Sequence, residues 1–227
     1  MLETIVLVCH VPEFVSFARN ALRAHNPGLR VVHAATRAAL LDLPPALLAG
    51  ARLVGLTTGV VVPAELLARA GCGAYNFHPG PPEFPGWDSI RFALYEGARD
   101  FGATAHAMTA QVDAGAIVGV RRCRVRENPT YADYQSEMVK ALLALIAELA
   151  PALASAQGPQ PIGVAWGLPV RRRADAAALC AIPPDIGPAE LARRIAAFGS
   201  GEIALRPTVT IHGARFVYAQ DELFERR

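Results

Sequence analysis

Short apolar runs recur at Thr4–Cys9, Leu29–Ala34, Arg52–Thr57 and Gly73–Phe77, the first rich in β-branched residues and the last in aromatic ones, each bounded by Gly, Pro or polar residues. Runs of this kind predict strands covered on both faces. Between them the spacing turns helical over Phe14–Ala24, over Arg37–Leu48 with a break at Pro44-Pro45, and from Pro63 through Ala70 with Gly71 as terminator. Two further strands are expected at Phe101–Thr109 and Ala116–Arg126. A long helix follows over Thr130–Ala156, opened by Thr130-Tyr-Ala-Asp133, which has the form of a capping box with Asp in place of Glu or Gln. Strands alternating with helices predict an α/β chain with a mostly parallel sheet. The Gly/Pro cluster Gln157-Gly-Pro-Gln-Pro161 marks a boundary between residues 1–157 and a small C-terminal region, 158–227. That region reads as a helix over Pro188–Phe198 and a hairpin over Thr208–Tyr218 turning at His212-Gly213.

Within Gly73–Phe77 and the residue after it, Asn76 and His78 stand two apart, so an extended backbone sends both side chains to one face. At the carboxyl end of a parallel strand that face opens into the crevice where α/β sheets bind ligands. An amide donor beside an imidazole suits a carbonyl becoming a tetrahedral oxyanion: one stabilises charge, the other holds or delivers a proton. Asp113, in a turn between two apolar runs, supplies a carboxylate to collect a proton from an attacking nucleophile. A desolvated carboxylate of raised basicity is expected there.

Of the 227 residues 52% are hydrophobic and 19% charged, enough to bury a core and too ordered a composition for a disordered chain. The formal charge of +2 excludes a broad electrostatic commitment to nucleic acid. Lys140 is the only lysine, so an anionic partner meets guanidinium groups. Cys9, Cys72, Cys123 and Cys180 lack the paired spacing of zinc or redox sites, and free thiols in a reducing compartment are expected. No metal site is expected. No basic stretch precedes an apolar run at the N-terminus, and no apolar stretch is long enough to span a bilayer. A cytoplasmic location without membrane association is expected.

Three pieces stand in order: Asn76-Phe-His-Pro79, Gly102-Ala-Thr-Ala-His106 and Val112-Asp-Ala-Gly-Ala-Ile117. Over about residues 4–125 the sequence resembles the folate-dependent formyltransferases. The resemblance implies a doubly wound, Rossmann-like sheet and transfer of a formyl group from 10-formyltetrahydrofolate, as co-substrate, to an amine. The family's Asn, His and Asp fall on Asn76, His78 and Asp113. Its pteridine pocket falls on Gly59, Val60, Val61 and Val62, with Gln111 and Val112 beside Asp113; an apolar strand-to-helix connection is the plainer reading of the Gly59–Val62 stretch. Val8-Cys-His-Val-Pro-Glu-Phe14 resembles the first turn of the methionyl-tRNA branch, with Cys9-His10-Val11 where that branch has small residues. The glycinamide ribonucleotide branch carries a Gly-rich phosphate loop at this turn, and this chain has none. In the loop after His78 the family's arginine is missing, Phe84-Pro-Gly86 standing there instead.

Four features stay open at the level of sequence. His10 is either a solvated turn histidine or a contact to the acceptor. Trp87 either covers an acceptor or packs its own loop. His106 orients Asp113, touches substrate or belongs to the core. Arg171-Arg-Arg173 is a solvated loop or meets phosphate or carboxylate. The chain after Pro161 reads as too short for a tRNA-binding β domain. The expected acceptor is therefore the primary amine of a small molecule, such as an amino sugar nucleotide or an amino-acid derivative, with no nucleic-acid partner. A homodimer is left open. A hydrolase releasing formate from the same folate, and a non-catalytic formyl-folate-binding module, are the alternatives.

Overall fold

In the computed structural model, which describes residues 2–200 and 205–219, nine strands and eight helices form two sheets with their covering helices. The chain runs β1 (Thr4–Val8), α1 (Pro12–His25), β2 (Arg30–Ala34), α2 (Arg37–Leu41), α3 (Pro45–Ala49), β3 (Ala51–Leu56), α4 (Ala64–Arg69) and β4 (Ala74–His78). It continues with α5 (Ser89–Glu96), β5 (Asp100–Ala107), β6 (Ile117–Arg124) and α6 (Tyr131–Leu153). Beyond lie α7 (Arg173–Cys180), β7 (Ala181–Ile182), α8 (Pro188–Phe198), β8 (Thr208–Ile211) and β9 (Ala214–Val217).

The main sheet has the order β2-β1-β3-β4-β5-β6. Its first four strands are parallel, and β5 and β6 run antiparallel to their neighbours. The expectation of a mostly parallel α/β sheet is met. Alternation along β1 shows how the layers are built. Ile5 and Leu7 face a core shared with α1, α5 and α6, whereas Val6 and Val8 face α2, α3 and α4. The two-sided burial explains why β1 and β3 read as continuous apolar runs, while the edge strand β6 is exposed over most of its second half.

Helix α6 is fixed at both ends. Thr130 Oγ1 accepts from the Asp133 backbone N–H at 3.3 Å, and Asp133 Oδ2 accepts from the Thr130 N–H at 2.8 Å, so the reciprocal cap forms with Asp. At the other end lies Arg52, a fully buried arginine that the strand pattern of β3 conceals. Its guanidinium donates to the carbonyls of Ala152, Leu153, Ser155 and Ala156, and its Nε to Cys72 O at 2.8 Å. A cation placed on the unpaired carbonyls of a helix C-terminus satisfies them and opposes the helix dipole.

The second sheet, β7-β8-β9, contains the expected hairpin, with His212 and Gly213 in left-handed backbone at its turn. Of the readings left open for the basic run, Arg171 takes the contact to a carboxylate, that of Glu96, and Arg173 starts α7. Asp88 occupies the N-cap position of α5 but makes no side-chain cap: its φ of 41° turns the carboxylate to Arg91 Nε at 3.0 Å instead. Among the described residues no helix is long and apolar enough to cross a membrane, and the four cysteines are free.

Candidate active site

The parallel strands end together at Val8, Leu56 and His78, and the loops that follow enclose the crevice. On β4, Asn76 lies between Gly55 of β3 and His106 of β5, and His78 lies opposite Thr104. This register brings His106 to the site as a cross-strand neighbour of Asn76. Asp113 comes from the turn after β5, in left-handed backbone with φ 46°. Gly115 two residues on is obligatory, because a β-carbon there would sit 1.8 Å from Ala107 O.

Three donors converge on Asp113. His78 Nδ1 lies 3.1 Å from Oδ2, His106 Nε2 3.1 Å from Oδ1, and the Gly86 N–H donates to Oδ2 at 2.8 Å. All three side chains are buried, at 4% exposure each. Each imidazole sets its second nitrogen against a main-chain carbonyl: His78 Nε2 on Phe84 O and His106 Nδ1 on Ala107 O, both 2.9 Å. A carbonyl only accepts, so those two nitrogens are the donors in these bonds. Burial pushes the Asp113 carboxyl up. The hydrogen bonds from His106 and His78, the attraction of His78 and the Gly86 N–H outweigh it and hold the group well below the usual carboxylate range. The expectation of raised basicity is therefore corrected: desolvation is present but three donors overcome it.

Asn76 touches this cluster through its amide nitrogen, 3.3 Å from His106 Nε2. Its oxygen is buried without a partner among the described residues. An amide nitrogen only donates, and His106 Nε2 gives its proton to Asp113, so the N–H groups of Asn76 are left for a carbonyl brought alongside.

Two cavities meet at Asn76 and Asp113. The first is a narrow slot of about 80 Å³ between Val60, Val61, Val62, Met108, Gln111 and Val112. Val61 and Val112 are more than half exposed, apolar lips suited to a flat ring. The second, of about 800 Å³, adds His78, Gly59, Trp87, Asp88, Arg171 and Arg172 to the shared wall. Thr57, Asp88 and Asp113, three of the five non-glycine residues with positive φ among the described residues, all line it. Backbone held in such conformations clusters where loops are built for a ligand.

The expected residues thus divide. Asn76, His78, Asp113 and His106 come together, with Gly59–Val62, Gln111, Val112 and Trp87 around them. His10 stands apart: it lines a neighbouring cavity of about 450 Å³ that shares only Thr57, Pro79 and Asp88 with the larger one. Trp166 was missed. It reaches both histidine rings from the segment after Pro161. The available signal was a tryptophan, one of two in the chain, inside an otherwise loop-like stretch.

Among the described residues no group of three or more His, Cys, Asp or Glu is disposed to hold a metal ion. The two imidazoles and the carboxylate direct their polar atoms at one another.

A family model described as formyl transferase matches residues 53–147. A methionyl-tRNA formyltransferase of Methylococcus capsulatus is 28% identical over 104 residues, 45% of this chain and 34% of that protein. The chain thus matches about a third of that relative's length. A sugar N-formyltransferase from Shewanella sp FDAARGOS_354 has a similar structure, with a TM-score of 0.73 at 19% identity over 96% of both chains. So does HypX from Aquifex aeolicus in complex with tetrahydrofolic acid, at a TM-score of 0.57 and 16% identity over 95% of this chain and 37% of that one. The structural likenesses are likenesses of fold.

Proposed function

Taking the chain as one of the folate-dependent formyltransferases, which the family match and the sequence relative support, we propose that it moves a formyl group from 10-formyltetrahydrofolate to the primary amine of a small molecule. The observation that carries this reading is the meeting of Asn76, His78 and Asp113 at one strand end, between an apolar slot and a roomier polar cavity. The slot, continued by Gly59, takes the pteridine, in keeping with the tetrahydrofolate held by HypX. The larger cavity takes the amine. Arg172 on one side and Asp88 on another suit an acceptor that carries both an anion and donor groups, as an amino sugar nucleotide or an amino-acid derivative does.

The amine attacks the formyl carbon, and the free N–H of Asn76 donates to the oxygen as it gains charge. Asp113 collects the proton the amine gives up. Because its three donors keep it weakly basic, it passes the proton on rather than retaining it. The bond from carbon to N10 breaks as that nitrogen takes a proton, so the amine's proton is accounted for. His78 acts through Asp113, since its Nε2 is committed to Phe84 O.

A single-turnover assay with formyl-labelled 10-formyltetrahydrofolate tests this. Label appearing on a panel amine, at a rate that falls in Asn76→Ala, is the expected result. Label released only as formate would make the protein a hydrolase, and label staying on bound folate would make it a binding module.

A further inference from the structure

The segment from Pro161 to Arg172 is stitched at four points, once to β6 and three times to the loop between β4 and α5. Ile162 N–H donates to Ile117 O at 3.0 Å, Gly167 N–H to Pro82 O at 2.8 Å, Arg171 N–H to Pro85 O at 2.9 Å, and Trp87 N–H to Arg171 O at 2.8 Å. Most of this strap is exposed, but Trp166 turns inward. Its ring stands nearly perpendicular to both imidazoles, 5.7 Å from His78 at 79° and 5.1 Å from His106 at 83°. Its Nε1–H donates to Gly115 O at 2.8 Å, which ties it to the turn that carries Asp113. Trp166 is absent from the walls of both cavities.

We propose that Trp166 is a positioning residue for the His78–Asp113–His106 cluster. It backs the cluster from the side that faces neither cavity and holds both rings on the carboxylate. This rests on the formyl-transfer reading above. One indole spans three pieces of chain: β4 through His78, β5 through His106 and the Asp113 turn through Gly115. Perpendicular ring contacts favour one orientation of each imidazole, and a displacement of a catalytic group by about 1 Å costs roughly a hundredfold.

Two measurements on the full chain test this, and they fail independently. In the first, formyl transfer from 10-formyltetrahydrofolate to hydroxylamine, a small surrogate amine, is followed as formohydroxamate. Trp166→Leu should lower kcat by about tenfold with the KM for 10-formyltetrahydrofolate changed by less than about twofold, and Trp166→Phe should restore kcat to within about twofold of the unaltered protein. An unchanged kcat in Trp166→Leu, or a loss carried by KM alone, would overturn the proposal. In the second, Trp87→Phe leaves Trp166 as the single tryptophan, and its emission is recorded at one pH without any folate. Changing His78 and His106 together to Asn removes both rings from the indole and should alter that emission. Identical emission would overturn the contact even if Trp166→Leu does not fold. An altered emission with no formyl chemistry in the unaltered protein would instead overturn the functional reading.

Discussion

Asp113 is buried and takes three hydrogen bonds on two oxygens, and this gives its charge a thermodynamic signature. Its folded-state pKa lies below that of an unfolded aspartate, about 3.9, so its pairing stabilises the fold above about pH 4 and the contribution is lost as pH falls further. Urea midpoints of the unaltered protein and Asp113→Asn should therefore differ most near neutrality and converge below about pH 4; a gap independent of pH would mean that the carboxylate's charge is not what the donors hold. Activity reads the same residues differently. Asn76→Ala, His78→Ala and Asp113→Asn should each slow turnover by at least about a hundredfold while circular dichroism stays native. Near-normal turnover in any two of them would remove the mechanism. His106, which the sequence left between three roles, reaches Asp113 Oδ1 at 3.1 Å, and only the antiparallel pairing of β4 with β5 could disclose that.

Close approach of elements decides which glycines matter. On β3, a β-carbon at Gly55 would lie 2.6 Å from Asn76 Oδ1 and 2.8 Å from Met108 Cε, both side-chain atoms able to move. Gly55→Ala should leave the fold standing and displace Asn76, with kcat down by about tenfold to a hundredfold. Gly115→Ala meets the backbone oxygen of Ala107 at 1.8 Å, where nothing can give way cheaply, so the melting temperature should fall along with activity. Comparing the two variants by thermal melts and steady-state kinetics separates a glycine needed by the site from one needed by the turn. Helix α6 makes a further case. Arg52→Met removes the guanidinium from its last carbonyls and leaves the buried Leu153 O without that donor, at a cost of about 1–3 kcal/mol by chemical denaturation. A loss under about 1 kcal/mol would show that water replaces the guanidinium there.

The parallel strands, the long capped helix and the terminal hairpin were legible because each has a local cause: two-faced burial, a reciprocal cap, a turn at His212-Gly213. Trp166, Arg52 and α7 were not, because their roles depend on chain brought from far along the sequence; Arg52 pins carbonyls about a hundred residues away. Composition gives the sum of the charge and leaves out its arrangement. The formal +2 is spread over guanidinium groups engaged with carboxylates close by, Arg122 with Glu83, Arg124 with Asp100, Arg171 with Glu96 and Arg194 with Glu190. Pairs of this kind leave little field for a polyanion, and phosphate contacts are what nucleic-acid affinity is built from. The loop after His78 adds no cation of its own, having Pro85 before Gly86, and Arg171 and Arg172 face a cavity sized for a small molecule. Methionyl-tRNA should therefore bind only in the non-specific range, about 10⁻⁴–10⁻⁶ M at physiological salt, with no preference for the aminoacyl form. Filter binding with charged and uncharged initiator tRNA, followed by a formylation assay, decides it. Submicromolar binding together with formyl transfer to the methionyl amine would replace the small-molecule acceptor with a macromolecular one.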